Sequence, residues 1–199
     1  MAVIALTTET GCAAVRRIVG AALETVVVAP RADQVSLALW ARYRSGPAFA
    51  RARAEIVIGT KHLVPRTNQP TLLVVHDMLT ITRAHENALA KRILLPRQYR
   101  RSLDDASHLV AVSAATRVRL GDLDPRWMAK CSVVPNGMSA GLIEVEAVAP
   151  VEIANQRFAL VVGDLSPRKN LALLTRLWKS DSPSGLTLVV VGPTWPSSR

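Results

Sequence analysis

The residue types best suited to chemistry stand where an apolar, strand-like run ends and a helix is predicted to begin. Gly163 closes the run, and a backbone without a Cβ can turn tightly beside a ligand there. Ser166 suits a helix N-cap, and Pro167 suits the first helical position because the N–H it lacks is not needed there. The predicted helix therefore begins with free N–H groups and with Arg168 and Lys169, a combination that favours an anion such as a diphosphate. An exposed basic pair that only aids solubility is the alternative interpretation.

A second candidate pair, His76 and Asp77, ends the predicted strand TLLVV. In open parallel sheets, ligands bind beyond the carboxyl ends of the strands. A neutral imidazole at such an edge can hydrogen-bond a substrate hydroxyl, and a carboxylate can orient that hydroxyl or accept from another. The alternative interpretation is that the pair caps the turn that follows.

The remaining polar residues carry weaker signals. Ser113 is predicted to cap a helix, because no G-x-S-x-G elbow surrounds it. Asn136 and Gly137 are predicted to form a turn. Structural or solvated roles are assigned to the histidines that lack ligand spacing, which are His62, His85 and His108. Cys12 and Cys131 lie far apart in no metal or redox pattern and are predicted to be small buried hydrophobic residues.

The elements that must position these residues alternate between short β-branched runs and longer helical stretches. That rhythm is typical of βαβ units and predicts an α/β fold with parallel sheets. Strands are predicted at 2–6, 25–30, 54–60, 71–77, 108–113, 131–137, 157–163 and 186–192. Helices are predicted at 12–23, 34–44, 84–105 with an interruption at Pro96, 114–123 and 167–179.

Composition changes after residue 137, where a stretch without clear periodicity holds a local acidic cluster. We therefore expect a Rossmann-like domain at 1–137, a linker at 138–156, and the first β-α-β of a second Rossmann-like domain at 157–199. A β-α-β unit with one pair of parallel strands has little to bury its faces against. The second domain is accordingly expected to be marginally ordered by itself.

Charge and hydropathy limit the partners without naming one. Of 199 residues, 49% are hydrophobic and 20% charged, which indicates a globular chain and argues against general disorder. The net charge of +10 attracts phosphates of any kind. The basic residues are scattered and no nucleic-acid-binding motif accompanies them, so no nucleic-acid partner is expected. Charged residues or proline break each apolar stretch and no secretory signal is apparent, which predicts a cytoplasmic protein.

Four motifs, in order along residues 55–192, resemble those of retaining GT-B glycosyltransferases of family four. They are the strand end VVHDML, the strand and helix HLVAVSAATRVRL, the strand VVPNGM, and the loop G-D-L-S-P-R-K-N-L. The resemblance implies the GT-B fold and transfer of a sugar, with retention, from a nucleotide-diphosphate sugar to an acceptor hydroxyl. It also implies that Gly163, Arg168 and Lys169 bind the donor diphosphate.

The same resemblance implies that His76 and Asp77 lie near the transferred sugar. Gly11, Asn136 and Gly137 are then expected to line the cleft, although the loop TTETG around Gly11 has only that glycine. No metal or cofactor is implied, since the nucleotide sugar is a substrate. A carbohydrate or a lipid-linked acceptor is the expected partner, with peripheral docking on the inner, anionic face of a membrane as a further hypothesis.

The family carries a pair of glutamates, seven residues apart, later in its second domain. The last glutamate of this chain is Glu152, within the predicted linker. We therefore expect a chain truncated in the donor-binding domain. A catalytically inactive remnant of such an enzyme is the alternative interpretation.

Overall fold

A computed structural model describes most of the chain, which divides into two compact units, Met1–Gly137 and Met138–Arg199. We call these unit 1 and unit 2 and describe each by itself. The described residues are 3–8, 13, 15–17, 20, 23–29, 34–51, 53–86, 89–138, 150, 153–163, 169–181 and 185–192.

Unit 1 is built on parallel sheets, as the alternation of short apolar runs and helices predicts. One pair joins β1 (Val3–Thr8) to β2 (Leu23–Ala29). A four-stranded sheet follows, in the order β3 (Val57–Gly59), β4 (Thr71–Val75), β5 (His108–Ala111), β6 (Cys131–Val133). Every pairing in it is parallel. The α/β, Rossmann-like character is thereby confirmed.

The helices of unit 1 connect and cover these strands. Among the described residues they include α1 (Gln34–Tyr43), α2 (Gly46–Arg51), α3 (Leu79–Thr82), α4 (Leu89–Asp105), α5 (Ala114–Leu123) and α6 (Pro125–Ala129), with a 3₁₀ turn at Ala84–Glu86. Residues 13 and 15–17 are helical as well. The core lies between the four-stranded sheet and α4 to α6. Its fully buried side chains are Val64, Leu73, Val75, Tyr99, Leu103, Leu109, Ala111 and Leu120.

Helix α4 corrects one prediction, because it continues through Pro96 where an interruption was expected. Proline inside a helix removes one hydrogen bond and costs about 3 kcal/mol. Tyr99 and Leu103 follow within two turns, and both are fully buried. Burial of two large side chains stabilises the helix by a comparable amount, so packing outweighs the local preference.

The described residues of unit 2 include one parallel strand pair and one α-helix. Strand β7 (Arg157–Val162) pairs with β8 (Leu186–Val191), and helix α7 (Leu171–Asp181) connects them. The indole N–H of Trp178 donates to the Leu186 carbonyl at 3.2 Å and ties the helix to the second strand. None of the described side chains of this unit is buried, and Val162 is 69% exposed.

This thin packing predicts that unit 2 unfolds locally and is cleaved before unit 1. Regions with few buried apolar contacts open at low free energy, while the buried core of unit 1 opens only on global unfolding. Limited proteolysis with mass spectrometry should give a resistant fragment that ends between residues 137 and 157. Survival of unit 2 under conditions that cleave unit 1 would contradict the prediction.

Candidate functional site

His76 leaves β4 at the carboxyl edge of the four-stranded sheet, where it is exposed. Its Nε2 lies 3.0 Å from the Thr60 carbonyl oxygen. A carbonyl oxygen only accepts, so the ring hydrogen stands on Nε2 and the neutral ring presents Nδ1 as an acceptor. The Thr116 hydroxyl donates to the His76 carbonyl at 3.3 Å and holds the backbone from the other side. The ring is therefore oriented with one nitrogen available to a ligand hydroxyl.

Asp77 has the capping role that was the alternative interpretation of this pair. Its Oδ1 accepts from the backbone N–H of Leu79 at 2.8 Å, at the start of α3. The Tyr99 hydroxyl donates to the Asp77 backbone carbonyl at 3.0 Å. Within the described part of the chain, Oδ2 has no partner, so one carboxylate oxygen stays available beside His76.

His62 joins this edge, although its sequence spacing gave no such signal. The half-buried ring packs edge-on against Tyr99, with centroids 4.8 Å apart, and its backbone takes the left-handed φ of 59°. Burial lowers the pKa of His62, the Asp77 carboxylate opposes that effect, and Lys61 and His76 add to it. Because the Tyr99 hydroxyl also donates to the Asp77 carbonyl, the ring contact places His62 beside the Asp77 backbone. Two separate loops, one after β3 and one after β4, supply these residues, which is why sequence spacing could not connect them.

Other predicted residues follow neighbouring strands at the same edge. Ser113 caps α5, because its hydroxyl accepts from the Thr116 N–H at 3.1 Å, and this prediction is confirmed. Asn136 and Gly137 come after β6 and are exposed in irregular chain, so the predicted turn is not formed there. Gly11 lies outside the described residues.

The candidate anion site lies in unit 2, where Gly163 directly follows the last residue of β7. Its φ of 155° is a conformation that residues with a Cβ rarely adopt. The Gly163 N–H donates to the Val191 carbonyl at 2.9 Å. The Lys169 side chain folds back over this point. A Cβ added to Gly163 would lie 3.1 Å from Lys169 Cε and 3.5 Å from Nζ. The structure thus brings Gly163 and Lys169 together, while Arg168 lies outside the described residues.

The helix after this site begins later than predicted. Helix α7 starts at Leu171, whereas the sequence predicted a start at Pro167 with both basic residues in the first turn. Asn170 takes a left-handed φ of 48°, which separates Lys169 from the helix, and its carbonyl accepts from the Leu173 N–H at 3.0 Å. Lys169 therefore precedes the helix, and its charge is not inserted into the first turn where the dipole would oppose it.

The lowered pKa of His62 predicts a pH dependence of stability. The unfolded ring has a pKa near 6.5, and the folded ring binds its proton less readily because it is half-buried. The unfolded state therefore binds more protons between the two values. The stabilisation is fully present above about pH 6.5 and is lost as the pH falls through the folded pKa.

Urea unfolding at several pH values should show a shallower loss in His62→Asn than in the unsubstituted protein. Asparagine tolerates the left-handed backbone, so the substitution changes the ring and not the loop. Equal slopes in the unsubstituted protein and His62→Asn would contradict the prediction.

The described residues contain neither a metal-binding cluster nor a helix that could span a membrane. Within the described ranges, no group of three or more His, Cys, Asp or Glu side chains is arranged to hold a metal ion. Over the same part of the chain, no helix is long and apolar enough to cross a membrane. No protein-family model and no curated protein matches the sequence.

Proposed function

We propose that this protein descends from, and acts as, a retaining GT-B glycosyltransferase that uses a nucleotide-diphosphate sugar. The observation that carries the proposal is that the Lys169 side chain folds over Gly163. Gly163 follows the last residue of β7 and has no Cβ. A cation beside an open strand end suits an anionic group, and ligands of parallel α/β sheets bind at that end. The resemblance of the loop to donor-phosphate loops supplies the identity of the anion.

On the donor side, the task of unit 2 is to stabilise the departing nucleotide diphosphate. As the bond between the sugar C1 and the phosphate oxygen breaks, negative charge grows on that oxygen. The Lys169 ammonium opposes this charge most effectively where water is excluded. Arg168 is proposed to share the role, as the resemblance implies. The acceptor hydroxyl then forms the new bond to C1 and releases its proton to the leaving phosphate.

On unit 1, His76 is proposed to position the sugar. Its Nδ1 is an acceptor in the neutral ring because Nε2 donates to the Thr60 carbonyl. A sugar hydroxyl that donates to Nδ1 would be held in one orientation. Asp77 is proposed to accept from a second hydroxyl through Oδ2, while Oδ1 continues to accept from the Leu79 N–H. Asn136 and Gly137, exposed at the same edge, would border the ligand.

Nucleotide-sugar turnover tests both halves of the proposal. UDP-glucose and GDP-mannose are suitable probes, with hydrolysis and transfer followed by release of the nucleotide. Lys169→Gln should lower turnover about 100-fold, since one such electrostatic contact contributes that much. His76→Gln should lower turnover about tenfold while UDP binding stays unchanged, because only a sugar contact is lost.

Matched controls exist for both substitutions. Lys179→Gln removes the same charge from an exposed position on α7, and His108→Gln removes an imidazole from the opposite end of the sheet. Both should retain the original turnover. Turnover unaffected by Lys169→Gln would refute the donor assignment. Binding of UDP without any turnover would identify the chain as the inactive remnant.

An anionic membrane on the cytoplasmic side is the proposed location of a lipid-linked acceptor. Leu89 and Ile93 stand one turn apart on α4 and are 71% and 62% exposed. Arg92 lies between them and is exposed as well. Apolar side chains flanked by cations are typical of helices that rest on anionic lipid surfaces.

Vesicle sedimentation tests this location directly. The protein should sediment with phosphatidylglycerol vesicles and much less with phosphatidylcholine vesicles, because the basic surface adds electrostatic attraction. Leu89→Glu with Ile93→Glu should abolish the sedimentation. Val118→Glu, which adds one charge at a position 58% exposed on α5, is the control that should bind normally. Equal sedimentation of all variants would exclude α4 as the contact.

A further inference from the structure

A second basic site lies in unit 1, at the amino ends of the strands. A cavity of about 290 Å³ is lined by Arg42, Tyr43, Arg66, Arg101 and Asp105. Asp105 marks its position, because the Asp105 carbonyl accepts from the hydroxyl of Thr71, the first residue of β4. His76 follows the last residue of the same strand. The cavity is therefore separated from the candidate sugar site by the length of β4.

The walls of the cavity are fixed by buried contacts. Arg42 is only 3% exposed; it pairs with the Asp105 carboxylate and donates to the Val64 carbonyl at 3.1 Å. Its Nε is buried as well and finds no partner in the described part of the chain. The Arg42 carbonyl in turn accepts from the Arg66 backbone N–H at 2.9 Å. These contacts hold the Arg66 backbone against the end of α1.

The charges in the cavity do not cancel. Three guanidinium groups face one carboxylate, which leaves an excess of two positive charges before the helix ends are considered. Helices α1 and α4 end here, and each carboxyl end contributes roughly half a negative charge. About one positive charge therefore remains unbalanced. Among the described residues, the Arg66 guanidinium has no partner, and Arg101 donates only to the Tyr43 hydroxyl, at 3.0 Å.

We propose that this cavity binds a phosphate group, either as inorganic phosphate or as a phosphomonoester. Guanidinium groups form charge-assisted, often paired hydrogen bonds with phosphate oxygens, and two of the three here have N–H groups to spare. The volume suits a phosphate with a small substituent and is below the range usual for larger organic ligands. The site does not depend on the proposed glycosyltransferase activity, since no residue is shared with it.

Tyr43 provides a reporter inside the cavity. Burial opposes ionisation of its phenol, yet hydrogen bonds with Gln98 and Arg101 and the nearby Arg101 charge lower the pKa of Tyr43 overall. A bound phosphate would place negative charge beside the phenolate and raise that pKa again. The chain has only two tyrosines, and burial raises the pKa of the other, Tyr99. The Tyr43 transition should therefore come first in a pH titration.

The test is a near-ultraviolet titration of the phenolate in the full chain, with chloride replaced by phosphate at constant ionic strength. Lys169→Gln serves as the background, so that the proposed donor site cannot account for binding. Phosphate should raise the Tyr43 midpoint in a saturable manner. Arg66→Gln should weaken the apparent affinity about tenfold, since one charged hydrogen bond is lost. Glycerol phosphate, compared with inorganic phosphate, distinguishes an ester from the free ion.

Arg97→Gln is the matched control, because it removes one exposed charge from α4 outside the cavity. It should leave the phosphate affinity unchanged. Thermal unfolding without phosphate shows whether Arg66→Gln folds, which is expected because only its backbone contacts Arg42. Absence of a midpoint shift, or equal weakening by Arg97→Gln and Arg66→Gln, would overturn the proposal.

Discussion

Tyr99 is fully buried, and its hydroxyl donates to the backbone carbonyl of Asp77 at 3.0 Å. A buried hydroxyl without a partner costs about 1–3 kcal/mol, so this contact fixes where α4 can lie relative to the end of β4. Burial raises the pKa of Tyr99, and the phenol accordingly remains a donor. The ring also supports His62. The core and the candidate sugar site are therefore joined through one side chain.

The C-terminal end of α4 is held by a different kind of contact, an ion pair. Asp105, the last residue of α4, pairs with the almost fully buried Arg42. A buried guanidinium needs a partner, because removal of one member of such a pair leaves an uncompensated charge. Tyr99 and Asp105 are six residues apart, which spans about 9 Å of helix. Both contacts follow Pro96, so they fix the part of the helix that continues beyond the proline.

Sequence patterns predicted those features that depend on local preference. The strands at 71–75 and 157–162 have the predicted character, and Ser113 caps the predicted helix with its hydroxyl. Of two wrong predictions, one is decided by tertiary packing and the other by the backbone conformation of a single residue. The helix through Pro96 depends on the burial of Tyr99, and the later start of α7 depends on the left-handed Asn170. The hydrophobic period of the sequence contains no information about either feature.

The candidate sites show the same difference between features that local sequence predicts and features that only the fold brings together. Gly163 and Lys169 were recognisable because they are six residues apart and share one loop. His62 was not recognisable, because it comes close to Asp77 only where the loops after β3 and β4 both contact Tyr99. The cavity beside Arg42 could not be predicted from the sequence either. Its residues come from three segments, and each arginine alone is typical of a solvated surface position. Chemistry assembled across loops therefore requires the fold before it can be recognised.

Unit 2 raises a last point about how binding and order are connected. Its described side chains are all at least partly exposed, so the geometry at Gly163 depends mainly on the pairing of β7 with β8 and on the Trp178 contact. A ligand that binds only the ordered form stabilises that form by mass action. Conversely, the apparent affinity falls by the fraction of chains in which the strand end is formed. A donor that binds at Lys169 would thus order the unit that recognises it, and its measured affinity would report on folding as well as on contact.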